Sequence, residues 1–336
     1  MRQNVISALT AALVATGAMT TGALALDQVR FGTNWLAQGG HGGFYQALAD
    51  GTYEEYGLDV EIVMGGPQVN NRPLLAAGRL DFLMTGNLLL SFDNVRNEIP
   101  TIVVAAFYQR DPQVLIAHAG QYDGWEDLPN APTVLISRDG QFSFWQWLTA
   151  TQGFSDEQLR PYGFNIAQFL SDETIVQQGY ATSEPLRAAA EGFEVDTFVM
   201  ADYGWSTYST TIEARSEMVE ENPDLVQRFI DASIIGWYNY LYGDRTDAYA
   251  LIMRDNPDAT VESLDRELEQ LMALDIIDSG RALDYGIGAM SMERVADFLR
   301  LSEEAGIIPE GAVALDLAAT DRFVNKGVGL DLRPAD

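Results

Sequence analysis

Apolar and polar positions along the first hundred residues switch repeatedly between a two-residue and a helical period. Gln28 to Trp35 reads as a buried strand with Val29 and Phe31 on one face, and Gly43 to Asp50 as a short helix stopped by Gly51. Leu58-Asp59-Val60-Glu61-Ile62 alternates strictly, which is a strand period. Gly65-Gly66-Pro67 predicts a turn, Asn70 to Ala77 a helix ended by Gly78, and Leu80 to Met84 a short strand. Gly86-Asn87 opens a further helix, and Thr101 to Tyr108 is a strand rich in β-branched and aromatic residues. Such alternation predicts an α/β fold, a parallel sheet with helices on both faces. Ligands of such sheets sit beyond the carboxyl ends of the strands. Those ends are Asn34-Trp35, Met64-Gly65, Thr85-Gly86-Asn87 and Tyr108-Gln109.

A second alternation follows. Val114 to Ala117 and Thr133 to Ser137 read as strands, Phe142 to Thr151 as a helix, and Asn165 to Phe169 and Phe193 to Met200 as further strands. The chain returns through Ser209 to Ile212 and then becomes helical. Asn222-Pro223-Asp224 is a helix start, and Leu225, Phe229, Ile230, Ile234, Trp237 and Leu241 form one apolar face. Helices are expected over Asp244 to Arg254, Val261 to Asp275 and Met292 to Ala305. The pattern predicts two lobes, residues 26–117 plus 211–336 and residues 118–210, with two chain crossings as a hinge.

Composition narrows the function. The net charge of −29 repels nucleic acid and anionic membranes, so neither is an expected partner. Cysteine is absent, which removes disulfides, thiolate nucleophiles and Cys-type zinc sites. Arg2 followed by the uncharged run Val5 to Leu24, then Ala23-Leu24-Ala25, has the form of an export signal. Cleavage after Ala25 is expected, giving a periplasmic, monomeric mature chain not inserted in the membrane; an uncleaved anchor is the alternative.

Nucleophilic chemistry finds no Gly-x-Ser-x-Gly elbow and only two histidines, His41 and His118. Gly39-Gly40-His41-Gly42-Gly43 fits neither a dinucleotide fingerprint nor a Walker lysine motif, and no lysine is near it. Its glycines serve either a tight turn or a close approach of backbone to ligand. Aromatic residues give the sharper signal: Trp35, His41, Phe44 and Tyr45 at the first loop, and Phe142, Phe144, Trp145, Tyr180, Tyr203, Trp205 and Tyr208 further on. Rings facing each other across a cleft suit a flat heterocycle bonded at its edges. Gln177 to Pro185 reads as a polar loop in which Glu184 either accepts from a ring N–H or caps the surface. Arg138 is the arginine available to a sulfonate.

Asn34-Trp35, His41-Gly42-Gly43-Phe44-Tyr45-x-Ala47, Gly51-x-Tyr53, Gly57-Leu58-Asp59-Val60 and Ala77-Gly78-x-x-Asp81-Phe82 together resemble one group of periplasmic substrate-binding proteins. It is the group related to the fungal thiamine-pyrimidine (no-message-in-thiamine) proteins, which serves ABC importers of thiamine-pyrimidine precursors and of nitrate, sulfonate and taurine. Tyr180-x-x-Ser183-Glu184-Pro185 is similar to its second-lobe motif. The resemblance implies the two-lobed periplasmic-binding-protein type II fold with a hinge. It also implies a small-molecule receptor working with an ABC permease and its ATPase, without catalysis, cofactor or metal. The ligand expected from it is a thiamine-pyrimidine-like heterocycle, with a sulfonate or other small organic anion as the alternative. The expected ligand-binding residues are Asn34, Trp35, His41, Tyr45, Asn87, Glu184, Tyr203 and Trp205. The same fold includes fungal thiamine-pyrimidine synthases with a pyridoxal-phosphate lysine and a cysteine-rich iron motif. Here the matching region, Asp81 to Asn87, has no lysine, the single lysine is Lys326, and there is no cysteine for that motif or for a desulfinase.

Overall fold

A computed structural model describes residues 25–66, 69–163 and 165–335; the expected export segment lies, but for Ala25, outside them. Among the described residues, ten strands form two five-stranded sheets. The first is built from β1 (Asp27–Gly32), β2 (Leu58–Val63), β3 (Phe82–Asn87), β4 (Thr101–Tyr108) and, much later in the chain, β10 (Ser209–Arg215). The second contains β5 (Gln113–His118), β6 (Thr133–Ile136), β7 (Leu159–Pro161), β8 (Ile175–Tyr180) and β9 (Val195–Val199). Their orders are β2-β1-β3-β10-β4 and β7-β6-β8-β5-β9. The architecture is the two-lobed α/β arrangement expected, but neither sheet is wholly parallel. β10 runs antiparallel to β3 and β4, and β5 antiparallel to β8 and β9. Each of these is the strand that receives the chain as it crosses between sheets.

Local chemistry explains the elements. In β2 Leu58 and Val60 are buried while Asp59 and Glu61 face outward, as their alternation requires. β4 is buried along its whole length although it ends the sheet order. Its free edge is covered where Thr320 N–H donates to the Val103 carbonyl at 2.9 Å. The long helix Pro223–Tyr242 lies against the helix Gly42–Ala49 so closely that a Cβ on Gly236 would lie 2.4 Å from the Gly43 carbonyl oxygen. Phe229 stacks on Phe82 at 4.0 Å and packs on Phe31, tying this helix to the first sheet.

Three expectations need correction. Val114 to Ala117 belongs to β5, so the chain leaves the first sheet between Tyr108 and Gln113, earlier than the boundary at 117. Residues 165–169 contribute to a short helix, Ala167–Leu170, and not to a strand. The stretch read as a polar loop begins as β8, in the middle of the second sheet. Gln177 and Gln178 hid it, because glutamines on a buried strand break the apolar signal that marks one.

The crossings, residues 109–112 and 204–208, are stitched together. Trp205 Nε1 donates to Asp111 Oδ2 at 2.7 Å. From the helix Met292–Glu304, the Arg294 guanidinium donates to the carbonyls of Gln109, Ser206 and Thr207 and lies 4.0 Å from the Tyr208 ring centroid.

Candidate functional site

A cavity of about 460 Å³ lies between the sheets, within the size range of small-molecule sites. The first lobe contributes the loop after β1 and the ends of β3 and β4, and the second contributes residues 137–144 and the end of β8.

The loop after β1 is held rigidly. Thr33 Oγ1 donates to the Trp35 carbonyl and accepts from Gly65 N–H, and Asn71 Nδ2 donates to the Thr33 carbonyl at 2.9 Å. Asn256 Nδ2 donates to the Ala37 carbonyl, and Tyr108 Oη to that of Gly40 at 2.8 Å. Gly39 N–H donates at 2.6 Å to the carboxylate of Glu267, whose pKa burial pushes up to about 7. The glycines that follow serve packing. A Cβ on Gly42 would fall 2.0 Å from the Tyr240 ring, and one on Gly43 2.1 Å from that of Trp237.

Of the expected residues, Asn34, Trp35, His41, Asn87 and Glu184 line this cavity. His41 is buried, its pKa lowered by burial to about 3, and its Nδ1 has no partner among the described residues. It therefore borders the cavity as a neutral imidazole. Asn87 caps the helix Leu88–Arg96 through Oδ1, which leaves its Nδ2 as a donor. Glu184 is bound on both oxygens: Tyr180 N–H donates to Oε2 at 2.8 Å and Tyr162 Oη to Oε1 at 3.1 Å. It shapes the second wall around β8, and burial pushes its pKa up.

The other three do not reach the cavity. Tyr45 turns away into the first lobe, where its hydroxyl donates to Asp255 Oδ2 at 3.1 Å. Tyr203 is exposed and stacks on Trp125 at 4.2 Å. Trp205 is buried at the hinge, bound to Asp111 and edge-on to Phe298. An aromatic residue near a strand end satisfies a packing demand as readily as a ligand, so the aromatic signal does not separate these from Trp35.

Amides make up much of the rest. Gln113 Nε2 donates to the Gly179 carbonyl and Gln178 Oε1 accepts from Ser137 N–H at 2.6 Å, and both residues line the cavity. Asn34 and Gln38 line the same space, with Phe142 and Phe144 opposite. The sequence did not single out Gln113, Tyr162, Gln178 or Asp139 for the site; for Gln113 and Gln178 the available signal was a polar residue in a strand-like run. Among the described residues no group of three or more His, Asp or Glu converges as a metal site, and no helix is long and apolar enough to cross a membrane.

A family model described as NMT1/THI5 like matches residues 38–244. A riboflavin-binding protein, RibY of Chloroflexus aurantiacus, is 26% identical over 178 residues, which are 52% of this chain and 49% of that one. The chain thus spans about half the length of this curated relative. Among solved structures, the ligand-binding component of an ABC-type import system from Staphylococcus aureus, with zinc bound, has a TM-score of 0.61 at 14% identity, over 88% of this chain and 97% of that one. The periplasmic aliphatic sulphonate binding protein SsuA of Escherichia coli has a TM-score of 0.58 at 15% identity, over 87% and 91%. The desulfurization enzyme DSZB has a TM-score of 0.55 at 12% identity, over 88% and 97%. These likenesses at low identity establish the periplasmic-binding-protein fold.

Proposed function

The chain belongs to the NMT1/THI5-like family, and from that premise we propose that it is an exported solute-binding protein. It captures a flat nitrogen heterocycle in the periplasm and delivers it to an ABC permease with its ATPase. The observation that carries this reading is the cavity wall: a neutral His41, side-chain amides with spare donors and acceptors, and aromatic rings from both lobes. Alternating donors and acceptors at fixed positions match the edge of a heterocycle, and rings match its faces. Asn34, Trp35, His41 and Asn87 act from the first lobe, with Gln178 and the second-lobe rings opposite. RibY being a riboflavin-binding protein supports the same chemical class.

Ligand contacts to both walls favour the closed arrangement over the open one, with the stitched crossings as the hinge. We read the protein as a receptor without catalysis. Lys326, the chain's one lysine, bonds to Gln227 and does not line the cavity, so pyridoxal phosphate finds no partner there.

Thermal-shift and calorimetric titrations of the mature chain with aminopyrimidines, riboflavin and taurine test this. A heterocycle is expected to raise the melting temperature without turnover, and Trp35→Ala to abolish the response. Stabilisation by taurine alone, or turnover of a bound heterocycle, would overturn the reading.

A further inference from the structure

Two carboxylates face the cavity, and they are served very differently. Glu184 has both oxygens filled by Tyr162 and by the Tyr180 backbone. Asp139 lies in the short helix Arg138–Gln141, borders the main cavity, and also borders a small side pocket with Asn70, Arg72, Met84 and Leu90. Among the described residues no N–H or O–H donates to its carboxylate; only its backbone carbonyl is engaged, by Phe142 N–H and Ser143 Oγ.

The nearby cations do not fill this gap with hydrogen bonds. Arg72 stays within the first lobe, where its Nη2 donates to the Leu90 carbonyl at 3.1 Å and to Asn94 Oδ1 at 2.5 Å, with Asp93 3.6 Å away. Its Nε is buried and, among the described residues, has no hydrogen-bond partner. Arg138 is exposed. Burial pushes the Asp139 carboxyl upward, while Arg72 and Arg138 draw it down. The side chain is half-buried, so solvent in the cavity reaches its oxygens, and a ligand that displaces that solvent must donate to the carboxylate or leave it unmet.

We propose that Asp139 determines specificity by accepting from a donor on the ligand, so that the solute is a heterocycle bearing an amino or hydroxyl substituent directed at this side pocket. A sulfonate without an amino or hydroxyl substituent offers only acceptors and leaves this carboxylate unmet. The inference rests on the cavity being a heterocycle site, and it adds which substituent that heterocycle carries.

The test is calorimetry on the full mature chain with matched probes. The pair 4-amino-2-methylpyrimidine and 2,4-dimethylpyrimidine isolates an amino donor. Riboflavin and lumiflavin, which has a methyl group where riboflavin has its hydroxylated chain, isolate hydroxyl donors. The donor-bearing member of at least one pair is expected to bind at least ~10-fold tighter than its partner. Asp139→Ala is expected to weaken that member by ~10- to 100-fold, the range for a hydrogen bond to a charged group, and to leave its partner unchanged. Asp139→Asn retains an acceptor and should fall between. Equal losses for both members, no loss in either variant, or tighter binding of ethanesulfonate than of any heterocycle would overturn the proposal. If a heterocycle binds but ignores Asp139, this inference alone fails. If no heterocycle binds the unaltered protein, the functional reading falls with it.

Discussion

Asp111 offers the sharpest quantitative prediction, because a fully buried carboxyl sits where both chain crossings meet. Its Oδ1 accepts from Gln113 N–H at 3.0 Å and its Oδ2 from Trp205 Nε1 at 2.7 Å. Arg294 lowers its pKa through its charge, and the Tyr180 hydroxyl is the other ionisable neighbour. Burial outweighs these and lifts the pKa from 3.8 to about 7. The folded protein therefore holds this proton more tightly than the unfolded chain does. The linked stabilisation is complete below the unfolded pKa and is lost as pH rises through about 7. Integrated from pH 5 to pH 7.5, that loss is about 2.5 kcal/mol.

Asp111→Asn keeps the shape, removes the titration and sacrifices one of the two accepted hydrogen bonds, about 1–2 kcal/mol at every pH. Denaturant unfolding of both proteins at pH 5 and pH 7.5 gives a double difference from which every other titrating group cancels. The unaltered protein is expected to lose about 2.5 kcal/mol more than the variant between these pH values. Identical losses would refute the assignment of a raised pKa to Asp111, whatever the variant's absolute stability.

Other substitutions separate packing from binding. Tyr45→Phe removes the hydrogen bond to Asp255, so unfolding free energy should fall by about 1.5–3 kcal/mol while ligand affinity in calorimetry stays unchanged. Gly43→Ala places a Cβ 2.1 Å from the Trp237 ring. It should destabilise by about 1–3 kcal/mol, read as a lower thermal midpoint, because overpacking forces the helix Gly42–Ala49 off its seat.

What could be read from the chain follows the strength of local signals. β1, β2 and the helix Pro223–Tyr242 stand out because their periodicity is imposed by a single buried face, and β4 through its unbroken run of β-branched and aromatic residues. β8 was hidden because a strand that helps to line a polar cavity must carry polar side chains inward, which erases the period. The same reason hid Gln113 and Gln178. Glu184 was visible through its motif, yet its part was not: only the fold shows that Tyr162 and the Tyr180 backbone already occupy it. Asp139 carries no local mark at all. Its interest comes from lacking a donor among the described residues in a place where the two lobes meet, which is a property of three-dimensional packing.

The charge of the whole chain bears on the same choice of ligand from outside. A net charge of −29 surrounds a cavity whose described charged groups are Arg138, Asp139 and Glu184, with His41 neutral. Such a field slows the approach of anions and leaves uncharged solutes unaffected, and the effect weakens as salt screens it. An anion receptor would have to overcome this field with a strong local cation site. Arg72 is spent on Asn94, Asp93 and the Leu90 carbonyl, and Arg138 is exposed beside a carboxylate. On the proposed reading, both the long-range field and the short-range wall favour a neutral or cationic solute that presents donors. The two terms are physically independent, since the field is screened by salt and the hydrogen bonds inside the cavity are screened far less.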